Sequence, residues 1–381
     1  MPETFAVIDF ESRAARNLKK TGVEAYVQCE HFAVSCLAWC YDRGDGINQR
    51  VHGVQFIRGR EVMGDDNYHE SLAELQGLFD HVAAGRPVVA HNARFELSVW
   101  CEMHYREPKR WPELRVSQLH DTMALARAIA MPAALADLAP ALKLPIEKDL
   151  AGHALMLKLC KPRKPRKGEP KDAILWNEDV ADLAGQFAYC KRDVETERDV
   201  WRKLPPLRPD ERETWELDQE INDTGVYVDV QAARDCLEIV NAEQARLNNE
   251  LFLLTDGYVK TAKSGQALLT WLASYDVFLP DLRKGTVDAA LKRFDLSPTV
   301  RRALQIRAEA NKASTAKIEA LLHGVCRDGR MRGLLGYHGA ATGRWVGHRF
   351  QPQNMVRTPE TFGEREAEDV FAWAAAAMTA N

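Results

Sequence analysis

The chain opens on an apolar run that ends in polar residues, Phe5 to Ser12 (FAVIDFES), the pattern of a buried strand. His31 to Tyr41 (HFAVSCLAWCY) is a second β-rich run, and Gly46 to Val54 offers a third, shorter strand. Over Ser71–Ala84 the residues Leu72, Leu75, Leu78, Phe79 and Val82 recur at helical spacing. A short strand, Pro87–His91, runs directly into a helix carrying ARFELSVWCEMHY. Leu119–Ala130 and Leu135–Leu144 read as helices broken by Met131-Pro132, and Asp179–Leu204 reads as one long helix stopped by Pro205-Pro206. A few early strands followed by helices around one further strand imply an α/β domain with a mixed sheet.

The cluster LPPLRP (204–209) reads as a domain boundary, and strand signals nearly vanish beyond it. Asp210–Asp223, Gln231–Leu254, Gly265–Tyr275, Val287–Phe294 and Pro298–Val325 all read as helices. Near Gly333 the texture turns to RGLLGYHGAATGRWVGHRFQPQNMV, rich in Gly, His, Arg and Gln. The expected domains are therefore 1–205, 206–332 and 333–381.

The 381 residues, 46% hydrophobic and 28% charged, supply ordinary globular material for more than one domain. No apolar run is long enough to span a bilayer and the start lacks a basic leader, so a cytoplasmic protein without membrane partners is expected. The eight cysteines include no C-x-x-C pair and read as reduced thiols. A net charge of −4 gives no bulk electrostatic support for nucleic-acid binding. Lys158–Lys171 (KLCKPRKPRKGEPK) nevertheless sets seven basic residues against one Glu, a solvated loop or a flexible arm that meets phosphates through Lys161, Arg163, Lys164 and Arg166.

Asp9 and Glu11 lie two apart on a strand and so share a face. Two carboxylates on one face of an apolar strand repel each other, which a divalent cation relieves; a solvated strand end would also carry them. In Asn92-x-x-x-Glu96 the carboxylate enters the first turn of a helix at the C-terminal end of a strand, where α/β proteins bind ligands and where a Glu also favours the helix dipole. Tyr189-x-x-x-Asp193 places phenol and carboxylate on one helical face, although Tyr189 could equally pack in the core beside a solvated Asp193. Asp121-Thr122 reads as a helix cap or as a support behind the acidic site, the cap being favoured.

Taken in order, D-x-E, N-x-x-x-E and Y-x-x-x-D resemble the DEDDy subgroup of DnaQ-like exonucleases, over roughly the first 205 residues. The resemblance implies an RNase H-like α/β fold and two-metal hydrolysis of DNA 3′ ends with two Mg²⁺ or Mn²⁺ ions. It implies that Asp9 bridges both ions, Glu11 and Asp193 complete the nucleophile-side site, Glu96 serves the leaving-group side, and Tyr189 orients the attacking water. Asn92 and Phe95 would support the site or line the terminal-nucleotide pocket. Glu96 departs from the pattern, standing where most of the family has Asp.

Beyond the boundary, WELDQEINDTGVYVD (215–229) and ATGRWVGHRFQPQNMV (341–356) resemble family-A DNA polymerases of phage type, in which an exonuclease precedes the polymerase. The resemblance implies a mainly α-helical thumb-like region, then a truncated palm start whose Thr342, Gly343, Arg344, Gln353 and Asn354 contact primer–template DNA. The palm acids and fingers Lys of that family do not appear between Asn354 and Asn381, so no polymerase activity is expected of this chain alone. The alternative is a non-catalytic DNA-binding or assembly subunit that reconstitutes a polymerase with a separate palm–fingers chain. That reading alone needs a dead exonuclease site, whereas all four carboxylates are present.

Overall fold

Residues 4–57, 60–64, 68–145, 149–311, 315–340 and 342–354 are described by the computed structural model of the chain. Two compact units emerge, Met1–Tyr227 with His323–Gln351, and Val228–Leu322 with Pro352–Asn381. In chain order the first runs β1 (Phe5–Arg13), α1 (Leu18–Thr21), α2 (Val23–Val27), β2 (Ala33–Asp42), β3 (His52–Ile57), β4 (Arg60–Gly64), α3 (Tyr68–Ala83), β5 (Val88–Ala90) and α4 (Arg94–Arg106). It continues through β6 (Leu119–Asp121), α5 (Thr122–Ala128), α6 (Leu135–Ala141), α7 (Leu150–Leu159), α8 (Val180–Trp201), α9 (Pro209–Thr224) and β7 (Val226–Tyr227). The second unit holds α10 (Val230–Leu254), α11 (Gly265–Ala273), α12 (Lys284–Leu291), α13 (Pro298–Ala310) and α14 (Ala316–Gly324), the last reaching into the first unit's range. Three short strands follow: β8 (Arg330–Met331), β9 (Leu335–Gly336) and β10 (Val346–Gly347).

The main sheet has the order β4-β3-β2-β1-β5-β6. β1 pairs antiparallel with β2 and parallel with β5, so the sheet is mixed, as the sequence leads one to expect. Strand alternation sorts β1 between two cores. Ala6, Ile8 and Phe10 join the large core that includes Leu75, Leu78 and Phe79 of α3 and Trp100 of α4. Val7 points the other way, into a smaller core with Cys36, Cys40, Val89 and, from α8, Cys190 and Val194. Asp9 and Glu11 continue the face of Val7, so the pleat alone aims both carboxylates at α8.

The expected boundaries at 205 and 332 do not mark the compact units. Prolines stiffen the backbone locally but do not prevent the next helix from packing back. Pro209 serves as a helix-starting proline of α9. Trp215 on α9 is buried in the large core of the first unit. Asn222 closes a loop to the later segment: its side-chain nitrogen donates to the Leu335 carbonyl at 3.1 Å and its oxygen accepts from the Leu335 amide at 2.9 Å. Trp345 Nε1 donates to Asp218 at 2.6 Å, and β7 pairs with β8. The WELDQEIND helix and the described residues Gly336–Ala340 and Thr342–Trp345 thus belong to one unit.

Smaller differences have local causes. The third strand begins at His52 rather than Gly46, because Gly44 and Gly46 adopt positive φ of 68° and 75° in a turn. Leu119–Asp121 is a strand rather than the start of a helix, since the Asp121 side chain caps α5 by accepting from Met123 N at 2.9 Å. β4, α1, α2 and α7 carry no strong periodicity. The second unit is helical as expected, with its own core built on Leu247, Leu251, Leu268, Leu272 and Leu304. No helix among the described residues is long and apolar enough to cross a membrane. The eight cysteines are all free.

Candidate functional site

Three elements deliver the acidic side chains singled out in the sequence: β1 carries Asp9 and Glu11, the first turn of α4 carries Glu96, and α8 carries Tyr189 and Asp193. They converge. Asp193 acts on Glu11, and Asp9 acts on Glu11, Glu96 and Asp193. Glu11 and Glu96 are buried, at 7% and 3% exposure.

Burial is the main force on these groups, because it removes water from the charged form. It raises Asp9 to about 6 and Asp193 to about 8, the second helped by repulsion from Asp9. Glu11 and Glu96 stand well above the usual carboxylate range, first by burial and then by the charge of Asp9. The Tyr189 hydroxyl is also raised, by burial and by Asp193, to which it is hydrogen-bonded. Partial relief comes from Gln186 Nε2, which donates to Glu11 Oε2 at 3.3 Å.

Two loops hold the cluster. Asn92 sits at a φ of 63°, a left-handed conformation that Asn tolerates better than most residues. Its amide is caught by Asp121 Oδ1 at 2.9 Å, the oxygen that also caps α5. Asp121 therefore does more than cap a helix: it fixes the turn that starts α4 and aims Glu96. On the other side, Asp149 caps α7 through the Gly152 amide at 2.8 Å and is ion-paired with Arg192 of α8.

A fifth acid escapes the sequence pattern. Glu197 lies one helical turn beyond Asp193 on α8, is 2% exposed, and interacts with Asp9, Glu96 and Asp193. The available signal was spacing: Tyr189, Asp193 and Glu197 recur every four residues and form one stripe.

The donor set suits a hard divalent cation, being all carboxylate oxygen. One oxygen each of Asp9, Glu96 and Glu197 is buried without a hydrogen-bond partner, a costly arrangement unless something positive is bound there. Among the described residues, no three His, Cys, Asp or Glu side chains form a ready-made cage for a cation. Mg²⁺ does not require one, since one or two carboxylates commonly hold it while water and phosphate oxygens complete its shell.

The other candidates lie elsewhere. Asn92 and Phe95 line a cavity of about 300 Å³ with Lys19, Arg94 and Arg349. The basic run is not a free arm throughout: Lys158 belongs to α7, and Arg163 is pinned. The Arg163 guanidinium donates to both Glu169 oxygens at 2.6 and 2.7 Å, and its amide donates to Leu175 O at 2.8 Å. Lys161, Lys164 and Arg166 are exposed. So are Thr342, Arg344, Gln353 and Asn354, the first two in the first unit and the last two in the turn Pro352–Asn354 assigned to the second. Palm residues after Asn354 fall outside the described residues.

No protein-family model matches the chain. A curated DNA polymerase from Bacillus phage SP02 is 31% identical over 355 residues, which are 91% of this chain and 50% of that protein. The chain thus spans about half the length of this relative. Among solved structures, the POL domain of Pol1 from M. smegmatis, in complex with DNA primer-template and dNTP, aligns with 93% of this chain and 53% of its own at 13% identity and a TM-score of 0.45. Identity and score this low say nothing of what the chain does.

Proposed function

Starting from a chain that is similar over most of its length to a phage DNA polymerase, we propose that its first unit is a metal-dependent 3′→5′ exonuclease that releases nucleoside 5′-monophosphates from DNA. The observation that carries this reading is the set of buried, mutually repelling carboxylates from β1, α4 and α8, with unpartnered oxygens on Asp9 and Glu96. The strand order supports an RNase H-like fold of the DnaQ type, with the site at the strand ends beside the sheet's long helix. Relationship to a phage DNA polymerase favours DNA over RNA as substrate and family A as the polymerase type.

Asp9, central in the cluster, would serve both metal positions, with Glu11 and Asp193 on one side and Glu96 on the other. Two Mg²⁺ or Mn²⁺ ions, when bound, would stabilise the charge on the scissile phosphate and lower the pKa of a water. Tyr189 hydrogen-bonds Asp193 and stands ready to hold that water in line. Asn92, Phe95 and the adjoining cavity would take the terminal nucleotide, with Lys19, Arg94 and Arg349 beside its phosphates. Lys161, Lys164, Arg166, Thr342, Arg344, Gln353 and Asn354 remain exposed candidates for backbone contacts. A 3′-labelled single strand incubated with Mg²⁺ or Mn²⁺ tests the proposal. Stepwise loss from the 3′ end supports it, and release that survives both Asp9→Ala and Asp193→Ala overturns it.

The position of Tyr189 gives a second prediction. A Cβ at Gly152 would run into the Tyr189 ring and the Asp149 carboxylate. Gly152→Ala improves helix propensity by up to about 1 kcal/mol, so any harm comes from displacing those side chains. A shift of about 1 Å in a catalytic group costs up to about 100-fold in rate. The expected result is a loss of that order in nuclease rate with an unchanged far-UV circular dichroism spectrum. Equal rates for Gly152→Ala and wild type would mean that Tyr189 placement is unimportant.

A further inference from the structure

We propose that Glu197 is a fifth carboxylate of the metal site, presenting its unpartnered Oε2 to the cation beside Glu96. The inference rests on the nuclease reading but concerns a residue outside the D-x-E, N-x-x-x-E and Y-x-x-x-D groups. Glu197 is aimed rather than merely buried. One of its oxygens accepts from the backbone amide of His91, at the end of β5, while Oε2 has no partner. His91 is itself immobilised, Nδ1 on Thr122 Oγ1 at 2.9 Å and Nε2 on the Ala133 carbonyl at 2.8 Å. The next residue, Asn92, is fixed by Asp121 and leads into the helix that bears Glu96. One rigid turn therefore anchors Glu197 and launches Glu96, holding them as neighbours.

The energetics favour a ligand over a structural role. A buried acid with no cation is kept neutral or finds donors for both oxygens. Glu197 has a donor for one oxygen, and the groups that act on it most strongly through space are three other acids, Asp9, Glu96 and Asp193. A purely structural residue gains nothing from that neighbourhood. A carboxylate shared with Glu96 gives the cation on that side a third protein ligand, after Asp9 and Glu96, and adds negative charge to bind it.

Mn²⁺ titration of the full chain, read by the electron paramagnetic resonance of the free ion, tests the proposal without depending on nuclease turnover. Wild type, Asp9→Ala, Glu197→Gln and Glu197→Asp are compared. Glu197→Gln keeps the shape and the contact with His91 but removes the charge, and is expected to weaken at least one Mn²⁺ by about 10- to 100-fold. If Glu197→Gln does not fold, Glu197→Asp retracts the carboxylate with the charge kept and is expected to show an intermediate loss. Wild-type affinity in the folded Glu197 variants, alongside loss in Asp9→Ala, overturns the role of Glu197 and leaves the nuclease reading standing. Absence of Mn²⁺ binding by wild type at millimolar concentration overturns both.

Discussion

Replacement of Asp9 by alanine is expected to lower 3′-end hydrolysis by about 1,000-fold or more while leaving the chain folded. The magnitude is the upper range for removal of one preorganised electrostatic group from an active site. Asp9 lies inside a strand paired on both sides, and it is the acid that acts on all the others: Glu11, Glu96, Asp193 and Glu197. Its loss removes the shared ligand. Its loss also removes the charge that repels four neighbours, so the metal-free variant should melt at the same temperature as wild type or higher at alkaline pH. Initial rates on a labelled single strand and a thermal melt in EDTA check the two halves. A variant that is inactive because it is unfolded would fail the second.

The metal-free chain should lose stability as pH rises, and a divalent cation should restore it. Asp9 and Asp193 have folded-state pKa values of about 6 and about 8, against 3.8 for an ordinary Asp. Over that interval the folded chain holds protons that the unfolded chain has released. Stability is therefore fully present below about pH 4 and is lost as pH climbs through about 6 and about 8. Each group removes up to about 1.4 kcal/mol per pH unit within its window. For a unit of this size that is several degrees of melting temperature between about pH 5 and about pH 8.5 in EDTA. Mn²⁺ should raise the melting temperature more at the alkaline end, where the carboxylates are ionised. Asp193→Asn should flatten the EDTA profile. A metal-induced rise as large at pH 5 as at pH 8.5 would contradict this electrostatic picture.

How far the sequence revealed the site follows from which interactions are local. The pleat of β1 is local, so Val7, Asp9 and Glu11 could be assigned to one face before any fold was known. The same holds for Tyr189 and Asp193, four apart on a helix. Glu197 was hidden because DVETERDV reads as a charged, solvated helix face; only the packing of α8 on β1 and β5 buries it. Asp121 looked like a cap and is one, but its hold on Asn92 spans 29 residues and leaves no short-range trace. Arg163 looked like a phosphate ligand because composition does not reveal the fold of a loop, here closed by Glu169 and Leu175. The proline cluster at 204–209 does not coincide with the limit of a compact unit for a related reason. Proline marks where the backbone turns, while the unit's limit depends on where Trp215 and Asn222 find partners, more than a hundred residues on for Asn222.

The identity of the released product is the decisive test for a metal-dependent nuclease site made by β1, α4 and α8. A strand labelled in its last internucleotide phosphate is incubated with the full chain in Mg²⁺, and the released label is separated by chromatography. Labelled nucleoside 5′-monophosphate is expected, with none in EDTA and none from Asp193→Ala. Label released as nucleoside 3′-monophosphate or inorganic phosphate, or released equally in EDTA, would contradict that expectation.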